Sequence, residues 1–78
     1  MIKELDTVVL TADIPEHRLS KGDLGTVVMV HQGGKGYTVE FMTLDGETVA
    51  VVTLLSTQVR AVRRREMARA RPFAKAVG

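Results

Sequence analysis

The sequence predicts an all-β fold, and three observations predict it. Valine and leucine dominate an apolar content of 45%, and a β-branched side chain fits the pleated, half-buried surface of a strand. The apolar residues sit in short runs, one of them strictly alternating, with no sustained helical interval. Glycine-bearing turns punctuate these runs. A chain of 78 residues holds one domain at most. A domain this small buries a modest share of its surface, which leaves little room for a deep active site with supporting residues behind it.

The elements follow in order. Residues 5–11 form the first strand. Residues 12–23, punctuated by Pro15, Gly22 and Asp23, form a long loop without helical period. Residues 24–31 are a valine-rich second strand, and residues 32–36 a glycine turn. Residues 37–42 alternate cleanly, with Tyr37, Val39 and Phe41 on one face and Thr38 and Glu40 on the other. Asp45-Gly46 predicts a two-residue type I′ hairpin turn. Residues 48–54 are the fourth strand, residues 55–58 a short 3₁₀ turn, and residues 59–62 a brief fifth strand.

That hairpin sets a register. It pairs Leu44 with Glu47, Met42 with Val49, Phe41 with Ala50 and Val39 with Val52, and paired residues share a face. Tyr37, Val39, Phe41, Ala50, Val52 and Leu54 then form a core. Met42, Val49 and Val51 fall on the outward face with Thr38 and Glu40, which is more apolar than a solvated face requires. It is either covered by the long loop or the tail, or it is a surface for a partner or for a second copy of the chain. Five short strands, a long first loop and a 3₁₀ turn before the last strand describe a small SH3-like barrel. The alternative is a short meander completed by dimerisation.

Charge divides the chain. Residues 1–59 carry four basic and eight acidic residues, a net charge of −4. Residues 60–78 carry seven basic residues and Glu66, a net charge of +6. The sequence therefore divides into a barrel domain, residues 1–62, and a basic tail, residues 63–78. Alanine, arginine and methionine in the tail favour helix and Pro72 would end it, but arginines at a helix start oppose the macrodipole. Arg60, Arg63, Arg64, Arg65, Arg69 and Arg71 have three readings: a solvated terminus, a phosphate-binding patch for nucleic acid, or docking on an acidic body in the same chain or a neighbour. The acidic body would repel nucleic acid, and Phe73 alone is available in the tail to stack on a base.

No catalytic set emerges. His17 and His31 have no metal-ligand spacing and read as solvated. Asp13, Glu16 and Asp23 are too sparse for a calcium loop. Asp23 reads as the cap of the Gly22 bend and Asp13 as the start of an Asx turn. Gly33-Gly34-Lys35-Gly36 lacks the phosphate-loop order and precedes a strand. No serine or threonine has a readable histidine–carboxylate partnership. The absence of cysteine excludes disulfides, thiol nucleophiles and thiolate metal sites. No cofactor is expected. The polar start and the lack of a long apolar run predict a cytoplasmic protein with no membrane association.

Three blocks in order resemble a known family: residues 1–10, residues 21–28, and Val39-Glu40-Phe41 with Leu44-Asp45-Gly46-Glu47-Thr48. The chain resembles domain of unknown function 4926, a family of short bacterial proteins, over roughly residues 1–62. The resemblance carries no established activity. Members often sit in small gene pairs, which implies a protein partner such as a toxin. Residues 22–27 are also similar to the start of a KOW-type SH3-like barrel. The function expected is that of a small non-enzymatic binding module, an accessory or antitoxin-like partner of another protein. The competing expectation is a nucleic-acid-binding protein acting through its arginine-rich tail.

Overall fold

The computed structural model describes residues 1–73. Within them the chain forms five antiparallel strands: β1 (Thr7–Leu10), β2 (Leu24–His31), β3 (Gly36–Met42), β4 (Thr48–Leu55) and β5 (Val59–Ala61). The sheet runs in the order β4-β3-β2-β1-β5. It curls into a small SH3-like barrel that is not closed, so β4 and β5 remain its two edges. A 3₁₀ turn at Ser56–Gln58 joins those edges. The Gln58 side chain accepts the Leu55 N–H at 2.8 Å, and the Gln58 carbonyl accepts the Thr11 N–H at 2.9 Å.

Alternation decides which residues fill the interior. Val8 and Leu10 of β1, Val27 of β2, Tyr37, Val39 and Phe41 of β3, Leu54 of β4 and Val59 of β5 are all buried. Ala50 and Val52 pack against that cluster. The long loop closes one end by placing Ile14 and Leu19 in the same core. These two residues also exchange main-chain hydrogen bonds of 2.8 and 3.1 Å, which fold the loop back on itself. A 3₁₀ turn at Pro15–His17 sits inside this loop, where the sequence shows no helical period.

Two local features depart from the sequence expectation. The first strand starts at Thr7, because Leu5 has φ +72 and cannot continue an extended strand. The β3–β4 connection is a three-residue loop in place of the expected type I′ turn. Gly46 N–H donates to the Thr43 carbonyl at 3.0 Å, and Thr43 N–H donates to the Glu47 carbonyl at 2.8 Å. Gly46 has φ +92 whereas Asp45 keeps a negative φ, and a type I′ turn needs positive φ at both central positions. The expected Phe41–Ala50 and Val39–Val52 pairs are present, but Met42 pairs with Thr48 across a bulge. Val49 is the extra residue of that bulge, and it packs against the core cluster instead of standing beside Met42 on the outward face.

The tail is also not helical. Among the described residues it is irregular after Ala61, with a turn at Arg64-Arg65. Lys75 lies outside the described residues.

Candidate interaction surfaces

Two surfaces stand out, one on the outward face of the sheet and one under the tail. Strand pairing builds the first. Glu40 pairs with Val51, Thr38 with Thr53, and Met29 with Thr38, so these side chains share the outward face. Met29, Met42, Val51 and Leu55 on it are 52%, 47%, 56% and 64% exposed, which is high for side chains of their size. The polar groups between them are bonded to one another. His31 Nε2 and Thr38 Oγ1 are 2.7 Å apart, and Thr38 Oγ1 and Thr53 Oγ1 are 3.0 Å apart. Thr48 Oγ1 donates to Glu40 Oε2 at 2.7 Å. His31 is thus half-buried and engaged, not solvated as the sequence suggests, whereas His17 is exposed.

The second surface is made by the tail folding back on the barrel. Arg71 forks onto Asp23, with Nε donating to Oδ1 at 2.7 Å and Nη2 to Oδ2 at 2.5 Å. Nη2 also donates to the Arg18 carbonyl at 3.2 Å. Asp23 is held for this contact by its own turn, since Oδ2 accepts the Ser20 N–H at 2.8 Å. The guanidinium lies 5.9 Å from the centre of the Phe73 ring, within cation–π range. A second clasp precedes it: Arg60 forks onto Glu66 at 2.8 and 2.7 Å, and the Arg63 N–H donates to Glu66 Oε1 at 2.6 Å.

The arginines therefore separate into two groups. Arg60 and Arg71 are committed to carboxylates of this chain, but only the Arg71–Asp23 pair joins the tail to the acidic body, because Glu66 belongs to the basic segment itself. Arg63, Arg64, Arg65 and Arg69 have exposed side chains. Met42 and Val49 line the groove under the tail, together with Phe73, while Val51 lies outside it. The Asp23 bond to Ser20 fits the turn role read from the sequence. Asp13 differs: its carboxylate accepts the Lys21 N–H at 2.8 Å across the loop and starts no Asx turn. Residues 32–35 form the β2–β3 hairpin turn, with Gly34 N–H on the His31 carbonyl at 3.0 Å.

The family described as domain of unknown function (DUF4926) matches residues 4–61. The chain belongs to that family. The DUF4926 region contains the whole sheet and Asp23, and the tail that carries Arg71 lies beyond it. No curated protein and no solved structure matches the chain. Among the described residues of this DUF4926 protein no three histidine or acidic side chains converge on a metal-sized site, and no helix is long and apolar enough to cross a membrane.

The two clasped carboxylates titrate abnormally. Burial pushes Asp23 up, but the Arg71 hydrogen bond, the Ser20 N–H and the Arg71 charge together outweigh it and hold the group below its ordinary value. Glu66 is held down at about 2, first by the Arg60 hydrogen bond and then by the Arg63 N–H. Both folded values lie below the unfolded ones, so the stabilisation is complete above the ordinary carboxylate range and is lost as pH falls. We predict that the Arg60–Glu66 clasp opens between about pH 4.5 and about 2, the ordinary and clasped values for Glu66, and that Arg71 is released as Asp23 protonates below its ordinary range, while the strands stay folded. Amide chemical shifts of residues 63–67 should move to random-coil values in the first window, and those of residues 71–73 as Asp23 protonates. Tail shifts that stay constant to pH 2 would show that the clasps do not hold it.

Proposed function

We propose that this chain is a non-enzymatic binding module whose partner is a protein, acting beside that partner as an accessory, antitoxin-like component. The observation that carries the reading is β4. It ends the sheet, no strand pairs with its outer edge among the described residues, and its outward Val51 and Leu55 are 56% and 64% exposed. A valine-rich edge strand of this kind is a template for another chain. Covering the neighbouring face strands few polar groups, because the Thr38–Thr53 and Glu40–Thr48 pairs satisfy themselves.

The partner is either a second copy or a different protein, and Val51→Asp addresses both. A charge at the centre of this face disfavours edge and face pairing while leaving the core untouched. The expected result is that wild-type chain sediments as a dimer or co-purifies with one stoichiometric protein, and that Val51→Asp loses that assembly with an unchanged circular dichroism spectrum. An assembly indifferent to Val51→Asp would sink the reading. If it were also lost on nuclease treatment or in high salt, the reading would move to nucleic acid held by Arg63, Arg64, Arg65 and Arg69.

A further inference from the structure

The groove under the tail differs from the β4 surface in composition and in what fills it. Arg69, Arg71 and Phe73 wall it from the tail side, and with them in place about 590 Å³ is still open. Asp23 and Gly22 form its polar end, and Leu24, Phe41, Met42, Leu44 and Val49 form its apolar end. All of these residues belong to the family-matched region, whereas the occupant, Arg71-Pro72-Phe73, does not. The barrel itself prepares the polar end, since the Ser20 N–H fixes Asp23 Oδ2.

The occupant fits the polar end better than the apolar one. Arg71 makes a bidentate contact that only a guanidinium makes, and adds the Arg18 carbonyl. At the other end Leu44 is still 92% exposed and Met42 47% exposed, with the tail in place. The tail is therefore a partial filler of a site built by the barrel. Arg71 is 40% exposed in this pair and reaches it from the irregular tail, so the cis contact is open to displacement.

We propose that this groove is a peptide-docking site for a partner segment in which an arginine is followed within two residues by an aromatic or large apolar side chain, and that residues 71–73 occupy it in cis as a competing mimic. The arginine seats on Asp23 and the Arg18 carbonyl. The apolar side chain extends toward Leu44, Met42 and Val49, where residues 71–73 leave surface open. A partner that fills both ends displaces residues 71–73 and frees Arg71. This site shares Met42 with the β4 face but not Val51, and the two tests substitute different residues.

The test uses the full chain with its own mimic disabled. A capped peptide of residues 68–73 is titrated into the isotope-labelled double variant Arg71→Ala, Phe73→Ala and followed by amide shifts. The expected result is saturable shifts confined to Gly22, Asp23, Leu24 and the Leu44 turn, and binding about tenfold weaker to wild-type chain because the attached tail competes. Asp23→Asn placed in the double variant should remove the binding, while its strand shifts stay in place. The same double variant with Leu44→Ala should weaken a peptide carrying tryptophan at position 73 more than the natural peptide. Shifts absent from the double variant, equal affinity in wild type, or binding indifferent to Asp23→Asn would each overturn the proposal.

Discussion

Gly25→Val is expected to remove a large part of the fold's stability. Gly25 lies on β2 facing the interior, and its missing side chain is the space that two neighbours fill. A Cβ there would stand 2.8 Å from Phe41 Cε1 and 3.0 Å from Phe41 Cδ1, and would meet Val39 Cγ1 more closely still. Val39 is 0% exposed and Phe41 2% exposed, so neither side chain has room to yield. Overpacking of a tight core costs about 1–3 kcal/mol and sometimes more, and a branched residue at this point belongs at the top of that range. A chain of this length has about 4–12 kcal/mol in total, so between about a quarter and three quarters of the stability is at risk. Urea unfolding should show a lost or strongly lowered midpoint. Phe41→Leu should recover part of the loss caused by the milder Gly25→Ala, because the two sites share one volume. A Gly25→Val chain that kept the wild-type midpoint would disprove this packing.

The second large effect is expected at Leu10→Ala. Leu10 is 1% exposed and pairs with Val59 of β5. Its N–H donates to the Asp23 carbonyl at 2.9 Å, and its carbonyl accepts the Gly22 N–H at 2.9 Å. One residue thus joins β1, the end of the long loop and the closing strand. Removing its side chain forfeits transfer free energy and leaves a cavity that the strands cannot collapse around, for about 3 kcal/mol. The urea midpoint should fall with the slope unchanged. Val9→Ala should cost less, since Val9 lies on the opposite face of the strand and outside the core cluster that holds Leu10. Equal losses at the two positions would show that the core is not centred where the burial places it.

Strand-level structure was legible because its causes are local. Tyr37, Val39 and Phe41 alternate with Thr38 and Glu40, and a period of two admits only one inward set. Residues 24–31 were bounded correctly by a turn at Gly22-Asp23 on one side and a glycine run on the other. The β3–β4 tip shows the limit of such reasoning. Asp45-Gly46 announces a turn, yet two loop lengths accept the same pair, and the choice between them moves Val49 from the outward face to a partly buried place against the core. A shift of one residue at a tip is invisible to composition and reverses a side chain.

The two candidate surfaces divide in the same way. Val51 and Met42 fall on the outward face by parity alone, whereas Met29 joins them only because a bulge between Val27 and Met29 resets the β2 register. Arg71 was one of several tail arginines in the sequence, and nothing local distinguishes it from Arg69.

The sequence by itself determined an all-β barrel with five strands, its principal core residues and a charge boundary near Arg60. These follow from side-chain volume, backbone propensity and net charge, each a property of a residue and its near neighbours. Only the tertiary structure decided that Arg71 meets Asp23 across 48 residues, that Glu66 holds Arg60, and that the tail runs irregularly against the barrel instead of forming a helix. Those outcomes depend on where a curled sheet brings distant segments together. Charge complementarity supplies the attraction, but the fork geometry that selects one arginine from six exists only once the turn at Ser20 has aimed the Asp23 carboxylate.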